Sequence, residues 1–170
     1  MLPDTESMIR VNQAGEYGAK RIYAGQLAVM GNRHPSAQLI SHMAAQEERH
    51  LLMFNRMMAE RGVRPTIFQP FWHVAGFALG AATALMGPRA AMACTAAVET
   101  EIDLHYAAQL DELADRDPEL SHAVRDFQAE EQEHKATALD QGAEQLPGYG
   151  ALSAIIRAGC RAAIAVSKTL

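Results

Sequence analysis

The chain reads as an all-α protein, and three observations carry that reading. It is rich in Ala, Leu and Met, with 49% apolar residues but only 6% aromatics and few β-branched runs, a composition that favours helix over sheet. Its apolar residues recur at helical spacing rather than alternating. Gly, Pro and capping residues fall at a few places and divide the chain cleanly between them. At 170 residues it has the length of one domain, residues 1–170, able to bury a real core.

The elements follow in order. Asp4 to Ser7 offers N-cap residues for a first helix running to Met30, where GNRHPS (Gly31 to Ser36) supplies a stop, a turn and a fresh cap. The second helix runs from about Ser36 to Arg61 and ends at Gly62, with an apolar stripe at Leu39, Ile40, Met43, Leu51, Phe54 and Met58. From Pro65 to Pro88 no Asp, Glu, Lys or Arg occurs, and a third helix is expected at about Phe71 to Met86. Pro88 suits the first turn of a fourth helix reaching about Asp115. DPELS (Asp117 to Ser121) caps a fifth helix to about Leu146, LPGYG breaks the chain, and a sixth runs from Ala151 to about Thr169.

Charge and cysteine content exclude several classes. A net charge of -5 and a pI near 5.8 leave no electrostatic footprint for nucleic acid. Cys94 and Cys160 are isolated, make no disulfide framework or zinc site, and fit a reducing compartment as inert thiols. The opening MLPDTESMIR has neither a signal-peptide nor a transit-peptide pattern, so the expectation is a cytoplasmic start or a processed one.

QEERHLL places Glu47 and His50 three residues apart, and AEEQEHKA does the same with Glu131 and His134. Such pairs share one helix face and can reach one metal ion. A lone pair is weak evidence, since 13 Glu and 7 His supply about half a pair by chance, and Glu119 with His122 is a third instance in a polar helix start. The stronger signal is spacing: Glu47 follows Glu16 by 31 residues and Glu131 follows Glu99 by 32, so a Glu-bearing helix precedes an ExxH helix twice. Glu119 has no such partner.

These carboxylates lie on apolar faces, where four uncompensated charges would cost several kcal/mol each. Two divalent cations cancel them, and carboxylate plus imidazole ligation with open positions suits iron better than zinc or calcium. The ligand set Glu16, Glu47, His50, Glu99, Glu131 and His134 is that of ferritin-like di-iron and di-manganese four-helix bundles. The first helix is odd in one respect: Gly15 and Gly18 flank Glu16, and Gly25 follows, each costing about 1 kcal/mol against Ala. They make room either for a substrate near the metal or for a tightly packed helix.

At these residues the chain resembles the demethoxyubiquinone hydroxylases of ubiquinone biosynthesis. The likeness covers nearly the whole length: RVNQAGEYGAKRIYAGQLAV, QEERHLLMFN, FWHVAGFALGAATALMG, AMACTAAVETEI, EEQEHKATAL and AGCRAAIAVS. The family's ligand positions carry over as the six residues above. His105 and Tyr106 match a His-Tyr pair that the family places near quinone and iron. Tyr106 also lies two turns beyond Glu99, as Tyr23 lies beyond Glu16. The resemblance implies an O2-dependent di-iron monooxygenase acting on a polyprenyl quinone. NADH is its implied electron source, although the chain has no dinucleotide fingerprint.

Two helices stand apart from the bundle. The uncharged third is short for a bilayer span. The sixth carries Leu152, Ile155, Ile156, Gly159, Ala163 and Val166 on one side and Arg157, Arg161 and Lys168 on the other, as suits a membrane surface with anionic headgroups. Gly76 and Gly80, spaced as GxxxG, suit a close helix contact. The expectation is a peripheral membrane protein on the cytoplasmic face of the cell membrane, or, if the chain is processed, on the matrix face of the inner mitochondrial membrane. An accessory lipid-binding protein and a homo-oligomer are compatible partners, and nucleic acid is not. The competing readings are a ferritin-like ferroxidase or iron-handling protein, which needs neither extra helix, and a non-catalytic membrane adaptor.

Overall fold

The computed structural model describes residues 4–114 and 116–169. Among them are six α-helices and no strand: α1 (Thr5–Met30), α2 (Pro35–Arg61), α3 (Gln69–Leu85), α4 (Pro88–Leu113), α5 (Pro118–Asp140) and α6 (Tyr149–Thr169). The caps of α1 and α5 are those the sequence announces, whereas α2 is capped by His34, whose Nδ1 accepts the Ser36 amide at 3.1 Å. Asp4 accepts the Ser7 amide at 3.0 Å, Asp117 accepts that of Leu120 at 3.1 Å, and prolines open α2, α4 and α5.

Short links make α1 with α2, and α4 with α5, two closely packed hairpins. They face each other as a four-helix bundle, with α3 laid along α1 and α6 along α4. The two hairpins approach each other only sparsely through their backbones, because large side chains fill the space between them. One apolar cluster, with Ile9, Phe54, Leu113, Leu120 and Phe127, fills one end; another, with Tyr23, Ile40, Met43 and Met92, fills the other. Buried small residues on α4, from Ala90 to Ala97, let its neighbours come close.

The fifth helix is shorter than its sequence suggests. It stops at Asp140 rather than near Leu146, because Gly142 takes a φ of 85° and the chain continues as a 3-10 turn, Ala143–Gln145. That left-handed conformation suits Gly and ends the i to i+4 ladder. The fourth ends at Leu113, and Asp115 lies outside the described residues.

The glycines divide into two kinds. A Cβ on Gly25 would stand 2.2 Å from the Phe77 carbonyl oxygen, and one on Gly80 1.9 Å from that of Ile22, so these residues, with Gly76, bring α1 and α3 into backbone contact. Gly15 and Gly18 face open space, with nothing within 4 Å of an added Cβ. Opposite effects follow. Gly80→Ala is expected to cost about 1–3 kcal/mol by overpacking, whereas Gly18→Ala gains about 1 kcal/mol of helix propensity; thermal melts of the two variants check the signs.

Arg157 and Arg161, both partly exposed, reach back to the bundle. Their guanidinium groups donate to Glu101 Oε1 at 2.6 and 2.8 Å, because a carboxylate this buried on α4 requires cationic partners. Those contacts turn the helix so that Leu152 and Ile156 meet the bundle while Ile155 and Val166 face outward. On the α3 side Ile67, Phe71, Val74 and Leu85 are also largely exposed. Of the described helices, α6 alone is long and apolar enough to cross a membrane by length and composition.

Candidate metal centre

One Glu comes from α1, one from α4, and a Glu-x-x-His pair from each of α2 and α5. All six side chains are buried in the middle of the bundle. They form two groups, Glu16, Glu47, His50 and Glu131, then Glu47, Glu99, Glu131 and His134; in each, one ligand atom per residue lies within 4.8 Å of the others. The groups share Glu47 and Glu131. Glu119 and His122 lie apart and exposed, Glu119 in ion pairs with Arg56 and Arg61, and His122 Nε2 3.2 Å from Asp126.

Each histidine turns Nδ1 inward. His50 Nδ1 is 3.0 Å from Glu131 and 3.3 Å from Glu16, and His134 Nδ1 is 3.1 Å from Glu131 and 3.2 Å from Glu47. The Nε2 atoms point outward, His50 to Glu130 and His134 to Gln46, both at 3.0 Å. Phe127 stacks on the His50 ring at 4.0 Å.

Tyr23 and Tyr106 reach the cluster crosswise. Tyr23, on the helix of Glu16, donates to Glu99 at 2.6 Å, and Tyr106, on the helix of Glu99, donates to Glu16. Each hydroxyl thus ties a carboxylate of the facing helix. Burial and the neighbouring carboxylates hold both phenols well above their ordinary pKa, so they remain donors.

Burial, then repulsion from Glu131, pushes the Glu47 and Glu99 carboxyls well up. Burial acts the same way on Glu131, but the hydrogen bond with His134 and the close approach of His50 outweigh it and hold that group down at about 2. Both oxygens of Glu47 and one each of Glu99 and Glu131 are buried without a hydrogen-bond partner. Buried acceptors in that state call for a positive ligand. Carboxylate oxygens and imidazole nitrogens in two overlapping groups fit a pair of divalent transition-metal ions.

His105 does not join this cluster. Its Nε2 accepts from Gln109 Nε2 at 2.8 Å, and Gln109 exchanges two bonds of 2.8 Å with Asn12. Burial first, and Lys168 second, hold its pKa at about 4. The folded value lies below the unfolded one near 6.5, so the unfolded chain takes the proton first as pH falls. The neutral ring therefore contributes stability that is complete above about pH 6.5 and lost as pH falls toward 4. After discounting for partial exposure, about 2 kcal/mol is expected across that window. Denaturant melts at both ends should show it, and His105→Gln should remove that part of the slope.

A cavity of about 330 Å³ lies between α1, α3, α4 and α6. Its described lining carries no charged side chain and includes Gly15, Gly18, Val98, Ile102, Ile156 and Cys160. Gly15 and Val98 are the chain neighbours of Glu16 and Glu99, so the cavity runs alongside the cluster's wall. Burial pushes the Cys160 and Cys94 thiols up to about 12, as suits inert residues.

Sequence spacing finds the six cluster residues but not Gln46, Glu130 or Glu101. The first two carry a signal in hindsight: each is the polar residue immediately before the Glu of an ExxH pair.

A helical bundle with this carboxylate and histidine set at its centre belongs to the ferritin-like class. Within that class the match is specific. Residues 3–167 fit the family described as ubiquinone biosynthesis protein COQ7, and the chain belongs to that family. It is 50% identical over 163 residues to 3-demethoxyubiquinol 3-hydroxylase of Rhodospirillum rubrum, covering 96% of this chain and 77% of that protein. It is 50% identical over 169 residues to the mitochondrial NADPH-dependent 3-demethoxyubiquinone 3-hydroxylase of Homo sapiens, covering 97% and 77%. To the mitochondrial 5-demethoxyubiquinone hydroxylase of Saccharomyces cerevisiae it is 39% identical over 175 residues, covering 94% and 75%.

Proposed function

We propose that this protein hydroxylates the ring of a demethoxyubiquinone or its quinol with O2, using two iron ions held by Glu16, Glu47, His50, Glu99, Glu131 and His134. The observation that carries the reading is the sharing of Glu47 and Glu131 by two ligand groups, in a chain whose relatives are named for this hydroxylation. Iron supplies O2 activation and electron transfer at such a centre.

The chain's own residues supply the rest. His50 and His134 present Nδ1 to one ion each, while Tyr23 and Tyr106 orient Glu99 and Glu16. The cavity's apolar wall excludes water and accepts an uncharged ring with a polyprenyl tail. Gly15 and Gly18 keep it open beside the cluster. The exposed apolar faces of α3 and α6 suit a membrane surface, where such a substrate is dissolved. Human and mouse relatives are named NADPH-dependent, so the electron source is assigned as a reduced nicotinamide dinucleotide rather than NADH in particular.

The test is anaerobic iron(II) loading, followed by O2, a reduced nicotinamide and a demethoxyquinone analogue. A product heavier by one oxygen atom supports the reading; iron oxidation without that product favours a ferroxidase. Gly18→Leu should fill the cavity and lower kcat/KM by about 10–100-fold while leaving bound iron unchanged, as steady-state kinetics and metal analysis would show.

A further inference from the structure

The two inward-facing imidazoles share one outer anchor. His50 Nε2 lies 3.0 Å from Glu130 Oε2, and Gln46 Nε2 donates to the same oxygen at 2.9 Å. Gln46 Oε1 lies 3.0 Å from His134 Nε2, and Arg49 adds a bond of 2.8 Å to Glu130. Helix α2 thus anchors the histidine of α5, and α5 anchors that of α2.

An ionised carboxylate only accepts hydrogen bonds. His50 must then carry its proton on Nε2, and Gln46 must turn its NH2 toward Glu130. That turn leaves the Gln46 carbonyl facing His134, which must likewise carry its proton on Nε2. With Nε2 holding its proton in both rings, the nitrogen that would give up its proton and offer a lone pair to a cation is Nδ1, the atom aimed at the carboxylate cluster in both cases.

We propose that Glu130, outside the ligand set, is a positioning residue that selects the metal-binding nitrogen of both histidines, of His50 directly and of His134 through Gln46. The inference rests on the two-metal reading of the cluster.

Cobalt(II) binding to the purified 170-residue chain tests it, followed by calorimetry and visible absorption, with circular dichroism as the check on folding. Wild type should bind two ions. Gln46→Leu should weaken one of them by about 10–100-fold, the usual effect of losing such an outer partner. Glu130→Ala should weaken both. Glu130→Gln, whose amide oxygen still accepts from His50 and Gln46, should restore both affinities, whereas Glu130→Met, which fills the same space but supplies no such acceptor, should not; rescue by Met would mean a packing role and overturn the proposal. If Glu130→Ala weakens one ion or none, the proposal is wrong. Should that variant not fold, Gln46→Leu decides: loss at a single ion supports the relay, and loss at neither or both overturns it. Failure of wild type to bind two ions would instead strike the two-metal reading itself.

Discussion

Glu131→Ala should abolish hydroxylation and remove both metal ions, the largest effect expected of any single substitution. Glu131 belongs to both ligand groups and contacts both histidines at Nδ1, at 3.0 and 3.1 Å. Its loss therefore breaks two sites at once. Glu99, by contrast, belongs to one group, so Glu99→Ala should retain at most one ion. Metal analysis after anaerobic iron(II) loading separates the cases. Glu131→Ala should also be less stable than wild type when both are metal-free, because the buried His134 ring loses its hydrogen-bond partner at 3.1 Å. A lost partner of this kind costs about 1–3 kcal/mol.

Stripping the metal from wild type should give the second largest effect, a fall in melting temperature. Without cations the bundle must bury four carboxylates together, several of their oxygens lacking any hydrogen bond. Each ion at a hundredfold excess over its Kd contributes about 2.7 kcal/mol, or about 5 kcal/mol for two. For a chain of this size that corresponds to a shift on the order of 10–20 °C. Calorimetry with and without a chelator measures it. An unchanged transition would mean that the acids are stable in the bundle without cations.

Much of this was legible in the residues. Two helices bearing a single Glu, each followed after about 30 positions by a helix bearing ExxH, placed all six side chains that converge in the centre. Periodicity reports which face of a helix is apolar, and a ligand on that face must point inward. It does not report the partner across the bundle. Hence Tyr23 is found on the apolar face from spacing, yet its bond to Glu99 rather than to an acid of its own helix depends on how the hairpins pack. The same holds for Arg157 and Arg161: helical phase separates them from Ile155, but only the buried Glu101 on α4 draws them against the bundle. Glycine was ambiguous for a related reason, since a missing side chain marks either contact or space. Gly25 proved to be contact and Gly18 space.

Mössbauer spectroscopy of protein loaded anaerobically with iron(II) and then oxidised addresses the shared-ligand cluster most directly. Bridging by Glu47 and Glu131 predicts two iron ions per chain, magnetically coupled after oxidation. Isolated uncoupled iron, or none retained, would contradict it.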